Sequence, residues 1–221
     1  ALLRWFDEDG TMIPLSLFLP VLNENSYIRY VDQMVFELVC KMIQESIQKG
    51  MKMVPISFNL SKASFEDEPF MQEYMKVFQQ FDIPKEYIEF ELLESISMDN
   101  SDKLIKVVDT IHKAGFRCAL DDFGSGYSSM SVLARVPIDI IKLDRSLFQN
   151  PYRDIDNFLI VDGLLDILHH FPVQIVAEGV EDETVAEHMR QHGCDMIQGF
   201  YYYRPMPMDE FQRLIAEQGE C

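Results

Sequence analysis

From about Tyr27 to Gln48 apolar residues recur at helical spacing, and the run breaks at Gly50, which predicts one long amphipathic helix. Beyond it, short apolar runs alternate with longer amphipathic stretches. The runs predict strands near Val54 to Leu60, Ile88 to Leu93, Arg117 to Asp121, Ile138 to Leu143, Val173 to Ala177 and Met196 to Gly199. The stretches between and after them predict helices at roughly Glu68 to Phe81, Asp102 to Ala114, Ser129 to Ala134, Asp154 to His170, Asp182 to His192 and Met208 to Glu217. Gly115 and Gly193 stand where helix C-caps belong. Such alternation implies an α/β fold with a parallel sheet covered by helices, and the number of units favours a closed (β/α) barrel over an open doubly wound sheet. No GxGxxG or Walker loop supports a nucleotide-binding open sheet.

Polar residues interrupt this pattern at one recurring place. Asn59 ends the first of these strands, Glu91 and Glu94 the second, Asp121 and Asp122 the third, Lys142 and Asp144 the fourth, Glu178 the fifth and Gln198 the sixth. Each alone reads as a cap or a solvated loop residue. Together they occupy the C-terminal strand ends, which in a (β/α) barrel converge on the rim where active sites are built.

Composition narrows the class. At 221 residues and 48% hydrophobic, with no linker, repeat or low-complexity tract, residues 1–221 read as one domain with a sizeable core. The net charge of -18 is spread along the chain and offers no basic face for DNA or anionic lipid, so a phosphate ligand would need local cations. Cys40, Cys118, Cys194 and Cys221 form no CxxC pair and read as free thiols in a reducing cytosol. No apolar run reaches the ~18 residues of a membrane span, so the chain itself reads as soluble, with any membrane tether lying outside it.

The strand-end set points to metal chemistry. Asn, Glu and paired Asp offer hard oxygen ligands with no Cys or suitably placed His pair, which fits Mg²⁺ or Mn²⁺ rather than structural zinc. A carboxylate such as Asp121, with Asp122 beside it, can bridge two ions about 4 Å apart, the arrangement that activates water for in-line displacement at phosphorus. Lys142 among carboxylates would stay protonated and hold the attacking water or a non-bridging oxygen. Glu178 would be a second-metal ligand or proton acceptor. Gly124 and Gly126 would let the following loop move or approach a ligand, or merely shape a turn. Barrels that abstract a proton alpha to a carboxylate also pair a lysine with metal-binding acids, and these residues alone do not separate the two classes; such enzymes usually carry a capping domain for which this chain has no room.

Several strings decide between them: Ala-Leu-Leu-Arg-Trp at 1 to 5, Phe-Asn-Leu-Ser at 58 to 61, Glu-Leu-Leu-Glu-Ser at 91 to 95, Asp-Asp-Phe-Gly-Ser-Gly-Tyr-Ser-Ser at 121 to 129, Ile-Lys-Leu-Asp at 141 to 144, Ala-Glu-Gly-Val-Glu at 177 to 181 and Gln-Gly-Phe at 198 to 200. In this order, and across the chain, they resemble the EAL domain family. The resemblance implies a modified (β/α)8, TIM-like barrel that hydrolyses the bacterial second messenger cyclic di-GMP to linear pGpG with two Mg²⁺ or Mn²⁺ ions. It implies Asn59, Glu91 and Asp121 around one ion, and Asp121, Asp122 and Glu178 around the other. Lys142 would position the nucleophilic water, assisted by Gln198, with Lys142, Glu178 and Gln198 as the catalytic set. Arg4 would contact phosphate. Leu2, Leu3, Glu181 and Phe200 would line the guanine end, with core packing an equal alternative for Leu2, Leu3 and Phe200. Glu94 would brace the loop containing Phe123, Gly124, Ser125, Gly126 and Tyr127, coupling metal binding to a homodimer. An upstream sensor or GGDEF domain and a bacterial cytoplasmic setting are expected. The family motif begins with a metal-binding glutamate one residue before Ala1 and has strand sequence further upstream, so an N-terminally truncated domain lacking its first barrel strand is expected here. The alternative function is a catalytically weak or inactive cyclic di-GMP receptor; a signalling scaffold is a third that no residue selects.

Overall fold

The computed structural model describes residues 1–66, 69–94, 101–125, 130–148 and 158–218. The chain packs as two compact units, one of residues 1–90, 113–116 and 206–221 and the other of 91–112 and 117–205.

The first unit opens on a hairpin of β1 (Trp5–Phe6) and β2 (Met12–Ile13), which are antiparallel. Helices α1 (Leu15–Glu24) and α2 (Ile28–Gln48) follow. The pattern anticipates α2 within a residue, whereas neither the hairpin nor α1 carries a periodic signal long enough to read. Along α2 the buried positions Ile28, Asp32, Phe36, Val39, Cys40 and Ile43 fall three or four apart, the spacing of a single helix face. That face meets strand β3 (Ile56–Asn59) and short helices α3 (Lys62–Glu66) and α4 (Phe70–Phe78). Phe36, Phe58, Tyr74 and Phe90 form the centre of this core, all with ring centroids 4.5 to 6.0 Å apart and mostly edge-on or tilted, as aromatic quadrupoles prefer. Buried Asp32 is held there by donors rather than by a cation: Ser61 N–H at 2.9 Å and Ser64 Oγ–H at 2.6 Å anchor the start of α3 to α2. The C-terminal helix α9 (Met208–Gln218) is tied to the same long helix, Gln212 Nε2 donating to Ser46 Oγ at 2.9 Å.

Strand β4 (Ile88–Leu93) starts in the first unit, beside β3, and ends in the second. In the second unit the order continues through β5 (Arg117–Phe123), β6 (Ile140–Leu143), β7 (Gln174–Ala177) and β8 (Met196–Ile197), neighbours in sequence being neighbours in the sheet. The pairs from β5 to β8 are parallel. Helices α5 (Ser101–Lys113), α6 (Met130–Arg135), α7 (Leu159–Leu168) and α8 (Glu183–Gln191) supply the crossovers that parallel strands require. This is the parallel, helix-covered α/β architecture expected from the alternation, with every strand and α-helix described in the second unit near its anticipated place; the expected starts of α6 at Ser129 and α7 at Asp154 lie outside the described residues. All of β6 is buried, and Ala119, Ile140 and Val176 pack side by side across three strands, as expected of a sheet covered on both faces.

The ladder extends past each strand's C-terminal end, and this positions the rim. Glu94 N–H donates to Asp121 O at 3.1 Å, Asp144 N–H to Phe123 O at 3.0 Å, Glu178 N–H to Leu143 O at 3.0 Å and Gln198 N–H to Ala177 O at 2.8 Å. After Gln198 the chain passes so close to the β7 loop that a Cβ built on Gly199 would lie 2.0 Å from Val180 O and 2.4 Å from Val180 N. Backbone cannot yield as a flexible side chain can, so Gly199→Ala is expected to cost at least ~1–3 kcal/mol. An unchanged urea midpoint for that variant would contradict this close approach.

Cys40 and Cys118 are buried free thiols, as anticipated, and Cys194 is a partly buried free thiol; Cys221 lies outside the described residues. Among the described residues no helix is long and apolar enough to cross a membrane.

Candidate active site

The site in the second unit begins with a break in regular strand geometry. Leu120 pairs with Ile141 and Phe123 with Leu143, so two residues of β5, Asp121 and Asp122, stand opposite the single Lys142 of β6. This is a β-bulge. Along an undistorted strand, adjacent side chains point to opposite faces. Here Asp122 takes a left-handed backbone (φ 57°), a conformation that few residues other than Gly, Asn and Asp adopt at modest cost. The outcome is that carboxylate oxygens of Asp121, Asp122 and Glu178 all lie within 4.8 Å of one another.

Lys142 is the centre of charge. It is only 5% exposed. Its Nζ lies 2.6 Å from Glu91 Oε1 and 3.1 Å from Asp121 Oδ1, and it also contacts Glu178 Oε1. Burial alone would push the ammonium toward neutrality, but Glu91, Glu178 and Asp121 more than offset that and hold it charged. One ammonium shared among several acids cannot satisfy each of them. Burial drives the Glu178 carboxyl up to about 7, opposed by Lys142 and reinforced by Asp121. Burial, then the neighbouring charges of Asp121 and Asp144, also raises Asp122, while Lys142 pulls it back.

Glu178 Oε1 is buried and, although in ion-pair contact with Lys142, accepts no well-directed hydrogen bond. A buried oxygen whose counter-charge is an ammonium shared with other acids, in a cluster of four carboxylates and one ammonium, is a place where added positive charge is strongly favoured. The donors are oxygen only, so the residues present fit a hard divalent cation.

Surrounding contacts shape the rim. Glu94, buried, accepts from Gly124 N–H at 3.3 Å through Oε2 and thus meets the first turn after the Asp-Asp pair. A Cβ on Gly124 (φ 93°) would meet Leu147 side-chain atoms at 2.6 Å, so the turn is packed as well as conformationally restricted. Phe123 is buried and Ser125 exposed; Gly126 and Tyr127 lie outside the described residues. Glu181 is exposed and pairs with Arg145 at 3.4 Å. Gln198 is exposed at the end of β8.

Of the expected residues, Glu91, Asp121, Lys142 and Glu178 come together directly, with Asp122 joining through the bulge. Asn59, Leu2, Leu3 and Arg4 belong to the first unit. Asn59 is exposed at the end of β3, and the Arg4 guanidinium donates to Leu3 O at 2.7 Å. Leu2 and Phe200 are 57% and 49% exposed, which removes core packing as their explanation; Leu3 is half-buried. Phe200 lies under the Arg204 guanidinium, 4.6 Å from its ring centroid. Sequence reasoning placed Asp144 at a strand end without a role, whereas its side chain caps the turn after β6 by accepting from Ser146 N–H at 2.9 Å; it missed Arg145, the partner of Glu181. The Asp-Arg-Ser string following Ile-Lys-Leu was the available signal for that cap.

Comparison with known proteins places this geometry in context. The chain is 29% identical to the signaling protein YkoW of Bacillus subtilis, over 99% of this chain and 27% of that protein. It is also 29% identical to the cyclic di-GMP phosphodiesterase PdeR of Escherichia coli, over 96% of this chain and 32% of that one. It thus spans about a third or less of these relatives. Among solved structures, the PaMucR phosphodiesterase in complex with c-di-GMP superposes with a TM-score of 0.87 at 28% identity, covering 95% of this chain and 85% of that one. The EAL domain of Mycobacterium smegmatis DcpA gives 0.79 at 27%, covering 87% and 86%. These matches assign the parallel α/β architecture to the TIM-like (β/α) class. A family model described as EAL domain matches residues 1–205, so the bulged Asp-Asp pair and its buried lysine sit in a chain that belongs to the EAL domain family.

Proposed function

We propose that this domain hydrolyses cyclic di-GMP to linear pGpG using two divalent ions, Mg²⁺ or Mn²⁺. The observation that carries the reading is the convergence of Asp121, Asp122 and Glu178 beside a buried, charged Lys142. Support comes from relatives named cyclic di-GMP phosphodiesterases. In this reading Asn59, Glu91 and Asp121 hold one ion, and Asp121, Asp122 and Glu178 the other. The ions would supply a nucleophile at neutral pH and offset charge at the phosphorus.

The protein's own contribution is positioning. Lys142, kept protonated by its carboxylates, orients the attacking water or a phosphoryl oxygen, and Gln198 at the neighbouring strand end assists. Arg4 meets the phosphate, while Leu2, Leu3, Glu181 and Phe200 receive the guanine base; the exposure of Leu2 and Phe200 is consistent with surfaces that await a ligand. Glu94, through its contact with Gly124, transmits the state of the site to residues 123–127 and so to a homodimer. An upstream sensor or GGDEF domain and a cytoplasmic setting complete the proposal.

The test is chromatographic. Cyclic di-GMP incubated with the purified protein and Mn²⁺ should yield pGpG, and chelation with EDTA should stop its formation. A protein that binds cyclic di-GMP yet forms no pGpG under either metal would instead be a receptor.

A further inference from the structure

We propose that Asp162, His188 and His192 form a second divalent-metal site, distinct from the acidic cluster and selective for a borderline transition metal such as Zn²⁺. Asp162 lies in α7, His188 in α8, and His192 at the C-cap of α8, one helical turn after His188. One potential ligand atom from each lies within 4.8 Å of the others. The spacing of the two histidines brings both imidazoles to one side of the helix end, the feature used by paired metal-binding histidines.

The supporting contacts are those of a ligand set. His192 Nδ1 lies 2.9 Å from the His188 carbonyl oxygen. A carbonyl oxygen only accepts, so Nδ1 carries the proton and Nε2 presents its lone pair. Metal-binding histidines are characteristically held in this way, with the second ring nitrogen donating to a carbonyl or carboxylate. His188 Nε2 is 2.6 Å from Asp162 Oδ1. Phe158 stacks on the His188 ring at 3.7 Å and 13°, fixing its plane from one side, and His192 stacks at 4.0 Å and 16°. A metal in the plane of both imidazoles requires His192 to rotate out of that stack, exchanging the Nδ1 contact with the His188 carbonyl for the metal bond. Its exposure makes this movement inexpensive.

The chemistry differs from that of the acidic site. Two imidazoles and one carboxylate favour zinc, copper or nickel over magnesium, and the exposed flank leaves a coordination position for water. On loading, the proton between His188 Nε2 and Asp162 Oδ1 is released to solvent and the metal takes its place. Occupancy would cross-link α7 to α8.

Copper(II) electron paramagnetic resonance separates this site from the all-oxygen cluster, because bound nitrogen gives a superhyperfine splitting that oxygen ligands do not, and the histidine variants assign that nitrogen to this site. One equivalent of Cu²⁺, with excess Mg²⁺ present to fill oxygen-only positions, should give a two-nitrogen signal that Zn²⁺ displaces. His192→Gln, an exposed position that leaves the His188 to Asp162 contact intact, should remove one nitrogen coupling and weaken Zn²⁺ binding by at least ~10- to 100-fold. His188→Gln should remove the other. A parent signal without nitrogen coupling, or one that His192→Gln leaves unchanged, would overturn the proposal and reduce the contact to an ion pair between helices. Neither outcome depends on phosphodiesterase activity.

Discussion

Lys142→Met should lower the stability of the metal-free protein by about 3–5 kcal/mol, because it retains much of the buried stem while removing the one cation shared by Glu91, Asp121 and Glu178. For a chain of this size that corresponds to a fall of roughly 10 °C in melting temperature. The sign follows from burial: three acids that lose their ammonium must protonate or remain as unpaired charges in a poorly solvated site. Saturating Mn²⁺ should restore part of the loss by supplying positive charge from another source. With Lys142 positioning the water as proposed, catalysis should not recover with it, since a metal neutralises the cluster without replacing that donor. Hydrolysis of cyclic di-GMP is expected to fall by ~10²–10³-fold. Two measurements decide this, a calorimetric scan with and without Mn²⁺ and an initial rate at saturating metal. Parent-like melting in EDTA would remove the argument for a shared counter-ion, and a parent-like rate would remove the role in positioning water.

The second large effect separates charge from conformation at Asp122. Asp122→Asn keeps a side chain that tolerates the left-handed backbone and removes a carboxylate that burial and the charges of Asp121 and Asp144 make costly to ionise. The metal-free variant should therefore melt above the parent at neutral pH, while its Mn²⁺ affinity falls and hydrolysis drops by roughly 10²–10³-fold, comparable to the loss of another transition-state electrostatic contact. Asp122→Val tests the other half. A β-branched residue at positive φ should cost ~1–3 kcal/mol, and the misplaced bulge should disturb Asp121 as well. Equal stabilities for the Asn and Val variants would mean that the backbone at this position is not restrictive.

The contrast between these variants shows what was legible in the amino-acid sequence. The alternation of apolar runs and amphipathic stretches located α2 and the six strands β3 to β8, because those elements bury continuous or regularly spaced apolar positions. It gave no warning of the β1–β2 hairpin, of α1 or of α3. A two-residue strand is too short to establish a period, and Pro20 lies within α1 where a helix is not ordinarily expected. At the site, residue types and their strand-end positions pointed to Glu91, Asp121, Lys142 and Glu178. What they could not give was the way in which two consecutive aspartates serve one face. Simple alternation puts them on opposite faces, and only the register change opposite Lys142 resolves the difficulty. The histidine pair was passed over for a related reason: His188 and His192 carry a readable spacing, but Asp162 joins them only through the packing of α7 against α8.

The left-handed backbone at Asp122 also bears on how such a domain could change its role. Loss of chemistry through an apolar or β-branched substitution there would compromise folding, whereas Asn or Gly could silence the carboxylate while leaving the bulge in place. A lineage drifting from turnover toward signal recognition would thus have a narrow passage at this residue. Its descendants would record that passage as an amide or a glycine beside an intact aspartate.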